Sequence, residues 1–486
     1  MLLFVVSLPA VTARLYSSDE VEYFSYLRSI YFDRDVSFEN EYQYFYDRNV
    51  ARSEGFHETF LERATALGRR VNYATIGPAI LWLPFYAVAD VFTRATGIAE
   101  ANGFTKPYIA AVAYGSACYA FLAVLLSIRA ARVLGRQPDA NGEPGPDTDA
   151  TRAHLPSLIA GLAVWFGTPL LFYMYVAPPF SHACSAFTVA LFLSVWLHVR
   201  REWRPRGALA LGLCVALMTM VREQDAFLAL GPALDFVLFT ARGAVPQRAL
   251  ARGHRSDAVP SGRSPGRQTL PLYSALAGVS GALLGYVPQL LAYTSLNGYP
   301  GPAEHVSRKM SWYAPHALEV LASAQHGFFF WTPLAMVAIG GLLALSDRRM
   351  SLYLLIMVAS QVYVAGSVES WTVAGAFGQR RFVCLTAILV IGLTALLNTA
   401  AGLRRTQQRG FRIRHALTVV LFLCVWWNLA LMAQFATRLM DRQRLEPSRN
   451  AYHAFVTLPL HAPSLAYRYL TDRESFYEAR PGGPSR

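Results

Sequence analysis

The chain has 486 residues, 54% of them hydrophobic and 15% charged, with a mean hydropathy of +0.28. Soluble domains carry about 25% charged residues, so this composition and its long apolar runs exclude an ordinary soluble domain and imply a polytopic membrane protein. The formal net charge is +13, but the basic residues are gathered in particular loops, which argues against nucleic acid as a partner.

Residues 2–15 are apolar but short of the roughly 20 residues that a span needs. Val11-Thr12-Ala13 resembles a signal-peptidase site, yet no basic segment precedes it. The run is read as a first transmembrane helix, truncated at its start. Residues 16–72 are polar and aromatic, and short amphipathic helices at the membrane surface are expected there. The run 76–91 holds Pro78 and Pro84 and closes on Asp90. A clear span follows at 108–128, with further candidates at 155–176, 180–199, 270–295, 326–345, 351–367, 383–402 and 415–434. Two shorter runs, 207–222 and 226–241, flank Arg222-Glu223-Gln224-Asp225 and read as a hairpin that need not cross fully. Gly, Pro, Arg and Ser dominate 136–152 and 242–269, the mark of flexible loops. The tail 436–486 is too short for a sizeable core of its own.

Arginine asymmetry sets the orientation. With 108–128 running inward, twenty-one arginines in five loops face the cytoplasm. The opposite face carries Arg222, Arg308, Lys309, Arg380 and Arg381. If both 2–15 and 76–91 crossed, this bias would invert. The prolines make 76–91 the better re-entrant or surface hairpin. About 11 helices result, with the N-terminus inside and the C-terminus outside.

In this topology the unusual polar groups collect on the outer face. They come from Asp19, Glu20 and Glu22; Asn72 and Tyr73; Ser181 and His182; Arg222 to Asp225; His305, Arg308 and Lys309; Glu369; and Gln379 to Arg381. Ionisable groups at the ends of membrane helices usually have a partner or a task. Asp19 directly follows the first apolar run and is the candidate general base, with Glu20 second. Arg222, Arg380, Arg381 and Lys309 are candidates for clamping a phosphate. Tyr73, His182, Glu223, Gln224, His305 and Gln379 complete the expected binding set. The plainer alternatives are a solvated acidic loop, helix-end anchoring for Arg380-Arg381, an internal Arg222–Glu223 ion pair, and Ser181 as a helix N-cap.

No metal site is expected. Asp33-Arg34-Asp35 mimics a metal-binding Asp-x-Asp, but such pairs are common in acidic loops. His305, His316 and His326 lack zinc spacing. No cofactor is expected, and a divalent ion stays open. The five cysteines, Cys118, Cys184, Cys214, Cys384 and Cys424, all lie in apolar runs and read as buried small hydrophobes.

Several short motifs carry a resemblance. In order they are the Ser18-Asp19-Glu20 loop, Asn72-Tyr73-Ala74-Thr75-Ile76-Gly77-Pro78, Pro179-Phe180-Ser181-His182, Val221-Arg222-Glu223-Gln224, Phe328-Phe329-Phe330-Trp331-Thr332-Pro333 and Gly378-Gln379-Arg380-Arg381-Phe382. Over residues 1–435 the chain resembles bacterial GT-C glycosyltransferases of the dolichyl-phosphate-mannose protein mannosyltransferase and aminoarabinose transferase type. The resemblance implies an all-α GT-C membrane domain over 1–435, with 16–107 as its first outer loop, and a short outer tail at 436–486. It further implies inverting transfer of a sugar from a polyprenyl-phosphate carrier to a lipid, glycan or protein acceptor. The site would face the periplasm or exterior of a bacterial inner membrane. Asp19 or Glu20 would match the family's catalytic acid, and Arg222, Lys309, Arg380 and Arg381 its phosphate-binding residues. Two alternatives stand beside it: an O-antigen polymerase or ligase, and a lipid-carrier transporter or flippase. A transporter would place ionisable groups at mid-membrane depth on broken helices.

Overall fold

The computed structural model describes residues 1–50, 55–135, 150–244, 266–373, 375–402 and 407–476. Most of the loops expected at 136–152 and 242–269 lies outside these residues. Among the described residues the regular elements are helical, and extended pairing is limited to two isolated bridges, Ala64–Arg70 and Met310–Val368. An apolar medium forces each backbone N–H and C=O to be satisfied within its own segment, which favours helices. Among the described residues seven helices are long and apolar enough to cross a bilayer: Lys106–Gly135, His182–Val199, Glu223–Ala241, Leu270–Asn297, Arg348–Ser367, Arg380–Gly402 and Gly410–Thr437. Three shorter apolar helices accompany them, His154–Gly167, Pro205–Val221 and Pro333–Ala344.

Polar contacts define two ends of this bundle. At one end Arg380 bonds Asp19, Arg222 bonds His182, and Tyr293 bonds Glu223. At the other, Arg200 bridges Asp235 and Asp347, and Arg132 bonds Ser157. Residues at the two ends of single helices fall into opposite groups, so the long helices run between the same two levels. Glycines allow the tightest approach. A Cβ on Gly212 would lie 2.0 Å from the Gly278 carbonyl oxygen, so Pro205–Val221 packs backbone to backbone on Leu270–Asn297.

Three expectations need correction. The apolar start forms only the helix Leu2–Ser7 and a 3-10 turn, Leu8–Ala10. Six residues rise about 9 Å, far short of a span, and Pro9 cannot donate to a continuing helix. Of the first loop's helices, Glu39–Asp47 buries one face as an amphipathic helix does, but Ser18–Arg28 does not lie on the surface. Ser18–Arg28 buries eight of its residues. Phe24, Phe38, Tyr42, Phe45, Phe56 and Phe60 join Trp82, Tyr86 and Tyr108 in a core distinct from that of the bundle. So many aromatic rings bury more surface against one another than flat helices could against lipid headgroups.

The third correction concerns 76–91, which is no broken hairpin. Gly77–Thr96 is one continuous helix through Pro84. It runs antiparallel to the first half of Lys106–Gly135, with Trp82 bonded to Ser116, Tyr119 to the Leu81 carbonyl, and Tyr108 to Asp90. The carbonyl that Pro84 leaves without an amide donor is that of Ile80, and the Tyr119 hydroxyl bonds the adjacent one at Leu81. The tail is also tied down. Tyr469 donates to the Ala10 carbonyl, and Arg473 donates to those of Val11 and Pro9 at 2.6 Å each.

Candidate functional site

Asp19 is held by its helix start. Ser17 Oγ accepts from the Glu20 amide, while Glu20 Oε2 accepts from the Tyr16 and Ser17 amides at 2.8 and 3.1 Å. This reciprocal capping box fixes the first turn of Ser18–Arg28. Asp19 stands in that turn, where the helix N-terminus favours a carboxylate, and its side chain stays 41% exposed. Glu20 itself is fully buried and serves as the cap, with burial pushing its carboxyl up to about 8. The second candidate base is therefore occupied in holding the first.

Arg380 closes on Asp19 from the far end of the sequence. Its Nη1 donates to Asp19 Oδ2 at 2.7 Å, and its guanidinium lies 5.3 Å from the Phe180 ring centre. The 3-10 stretch Arg380–Leu385, which opens the helix Thr386–Gly402, places it. Arg222 ends the helix Pro205–Val221 in an extended conformation, φ −153°. That break directs its Nη1 to His182 Nδ1 at 2.6 Å and its Nη2 to Gln224 Oε1 at 3.1 Å. Because arginine only donates, His182 Nδ1 must accept, so the proton of a neutral ring sits on Nε2. His182 Nε2 is buried and bonded to nothing.

Amides lock the arginines in register. Gln224 Nε2 donates to the Arg381 carbonyl at 2.9 Å, and Gln361 Nε2 donates to the Gln224 carbonyl at 2.9 Å. Arg381 Nη2 donates to the Ser370 carbonyl, and Gln379 Nε2 to that of Trp371. Arg381 Nε and Gln379 Oε1 are buried without partners. Among the described residues Asp19 is the sole carboxylate paired with this group of three arginines. The arrangement can hold an anion, place a base beside it, and offer a further N–H from His182.

Other expected residues fall outside this group. The Tyr73 amide donates to Glu22 Oε1 at 2.7 Å, and its ring lies 5.5 Å from that of His305. Burial pushes the Glu22 carboxyl up to about 8, and the charge of Asp19 adds to this, while the Tyr73 amide and the charge of Lys309 oppose it. The charge of Lys309 thus acts on Glu22, while His305 stands against the Tyr73 ring. Glu223 turns away from Arg222 and accepts from Tyr293 at 2.6 Å and Tyr286 at 3.5 Å, so the internal ion pair does not form. Ser181 precedes its helix but makes no cap and donates to the Tyr23 hydroxyl at 3.0 Å. His316 stacks on Trp371 and His326 on Trp331. Asp33 pairs with Arg28, and Asp35 accepts from Ser29 and the Ser37 amide. Among the described residues no three metal-ligating side chains come together, and the cysteines are unpaired and partly or wholly buried.

Sequence reasoning missed Tyr23, Tyr173 and Gln361. Tyr173 lies 4.4 Å from His182, ring to ring, and Gln361 is fully buried. An amide in the middle of an apolar helix was a usable signal for Gln361. Tyr23 stands one helical turn after Asp19 and shares its face.

Among the described residues, fold and site together define a helical protein with long apolar helices, whose ends bring three arginines together with one carboxylate. No family model matches the chain, and no curated protein matches it.

Proposed function

We propose that the chain is a membrane glycosyltransferase of the GT-C kind, moving a sugar from a polyprenyl-phosphate carrier to an acceptor hydroxyl. The observation that carries this reading is Asp19 bonded to Arg380 beside the Arg222–His182 pair. Asp19 accepts the proton of the acceptor hydroxyl. The acceptor oxygen then forms a bond to the anomeric carbon as the bond from that carbon to the phosphate oxygen breaks, inverting the centre. Arg380, Arg222 and Arg381 stabilise the charge arriving on the departing polyprenyl phosphate. His182 Nε2–H has no protein partner and donates to a sugar or phosphate oxygen.

The same reading counts ten crossings among the described residues, the seven long apolar helices and the three shorter ones, and turns the active site away from the arginine-rich loops, toward the exterior of a bacterial inner membrane. Reporter fusions after residue 140 check the orientation, which requires them to behave as cytoplasmic. The activity test is transfer of labelled hexose or pentose from polyprenyl-phosphate donors by the protein in vesicles. Release of polyprenyl phosphate coupled to glycoside formation supports it. Movement of intact donor across the bilayer without bond cleavage would replace it with the transporter reading.

A further inference from the structure

We propose that residues 447–471 form a helix immersed in the membrane leaflet on the candidate-site side, with one face turned to lipid acyl chains. Pro447–Tyr452, the π-helical turn His453–Thr457 and Leu458–Thr471 follow one another directly. Both junctions keep right-handed helical backbone, φ −63° at His453 and −68° at Leu458.

Contacts with Gly410–Thr437, a helix long enough to cross a bilayer, set its depth. Trp426 Nε1 donates to the Ala454 carbonyl at 3.0 Å. Asn450 Nδ2 donates to Gln434 Oε1 at 2.9 Å, and Gln434 Nε2 donates back to the Asn450 carbonyl at 3.2 Å. Trp426 lies about 17 Å of helical rise before the end at Thr437. A tail standing in water beyond the bundle would meet Thr437 and not Trp426. The far end of the segment bonds the Ala10 carbonyl through Tyr469, close in sequence to Asp19, which places it at the bundle end that carries the candidate site.

Three stripes with the same helical spacing run along it. Ala454, Leu458, Ala462, Leu465 and Tyr469 face the bundle, and Ala454 and Leu458 are buried there against Ala430. His453, Thr457, His461, Ser464 and Arg468 form a polar stripe. Tyr452, Val456, Leu460, Pro463 and Tyr467 form an outer stripe, on which Leu460 is 77% and Tyr467 71% exposed. No carboxylate stands between Glu446 and Asp472, and the two arginines of the segment, Arg449 and Arg468, lie near its ends. Phe422 and Leu423, one turn before Trp426, are also exposed, so the apolar surface of the membrane helix continues onto the outer stripe. An interfacial helix divides in this way, with apolar side chains at the acyl boundary and a polar stripe at the headgroups. The surface helix expected of the first loop is thus found in the tail.

This placement is independent of the glycosyl-transfer reading, and so is its test. The unmodified full chain in phosphatidylcholine vesicles is labelled with two carbene reagents, a phosphatidylcholine carrying a diazirine on its acyl chain and a water-soluble diazirine. Trypsin cuts after Arg449 and Arg468 and releases residues 450–468 as one peptide, whose labelled positions are read by mass spectrometry. The acyl-borne label should fall on Tyr452, Val456, Leu460 and Tyr467, and the soluble label on His453, His461 and Ser464, so that the ratio of the two labels inverts between the stripes. Soluble label on both stripes alike overturns the proposal, because the tail then stands in water. Acyl-borne label on both stripes alike overturns it as well, since the helix is then buried in the bilayer with no headgroup side. An outer stripe spared by both reagents also overturns it, because a second copy or another protein then covers that face.

Discussion

Arg380 Nη1 donates to Asp19 Oδ2 at 2.7 Å, joining residues 361 positions apart. Both side chains keep solvent access, 23% for Arg380 and 41% for Asp19. Exposed ion pairs contribute at most about 1 kcal/mol, so the pair adds little to stability. Asp19→Asn preserves shape and removes the base. Sugar transfer should fall by about 10²-fold or more, while the thermal unfolding midpoint stays near that of the wild type. Wild-type transfer by this variant would take Asp19 out of the mechanism.

Glu20 supplies the contrast. Its Oε2 accepts two backbone amides at the helix start. Glu20→Gln keeps an accepting oxygen and should retain activity. Glu20→Ala leaves the Tyr16 and Ser17 amides without that acceptor, at a cost of about 1 kcal/mol as for other lost caps. Unfolding midpoints of the two variants separate capping from catalysis. Loss of transfer in both, with unchanged midpoints, would restore Glu20 as a base.

Arg222 tests the geometry of anion binding. Its two terminal nitrogens serve His182 Nδ1 and Gln224 Oε1 at once. Lysine preserves the charge but cannot make that planar fork. Arg222→Lys should therefore raise KM for the donor and lower kcat together. A change in KM alone would mean that Arg222 binds the donor without acting on the transition state.

The parts of the site that the sequence exposed share one property. Asp19, His182, Arg222 and Arg380 are polar groups where apolar runs end, and the apolar background makes them conspicuous. Partnerships were hidden because they cross the fold. Nothing local says that Arg222 turns to His182 while the adjacent Glu223 turns to Tyr293, since that divergence follows from the extended backbone at Arg222. Nor does the aromatic run 23–46 show that its rings pack on one another, because a buried aromatic helix and an interfacial one share a composition. Hydropathy exposed the long apolar helices as segments, but not their count, since about 11 were expected and seven of spanning length are found among the described residues. Helix continuity through Pro84 was not legible, because the contacts along that helix are made to the distant segment Lys106–Gly135.

Glu22 gives the first loop a pH dependence. Its carboxyl rises from an ordinary 4.5 to about 8 in the folded chain, chiefly through burial. A raised carboxyl favours the folded state fully below the unfolded value. Stability is then lost as pH climbs from about 4.5 to about 8, because the unfolded state releases its proton first. Glu20 behaves alike. Amide exchange of Ser18–Arg28 should quicken across this window, and Glu22→Gln should flatten the trend. Exchange that slows with rising pH, after correction for intrinsic rates, would reverse the sign.

Gly77 ties the outer core to the arginine site. A Cβ there would lie 2.4 Å from the Met220 carbonyl oxygen and the Val221 amide nitrogen, backbone atoms that cannot swing aside. Thr75 also donates to the Val221 carbonyl at 3.0 Å. Val221 is followed by Arg222, so displacement at Gly77 is passed to the arginine that holds His182. Gly77→Ala should cost about 1–3 kcal/mol through overpacking, and it should also weaken donor binding, although residue 77 does not belong to the site. Gly341→Ala supplies the control, since it meets an equally close backbone at Gly392 in a helix pair that does not include Pro205–Val221. The expected result is comparable destabilisation in both variants with a larger donor-binding defect in Gly77→Ala. Equal defects would mean that binding follows global stability and not the contact at Val221.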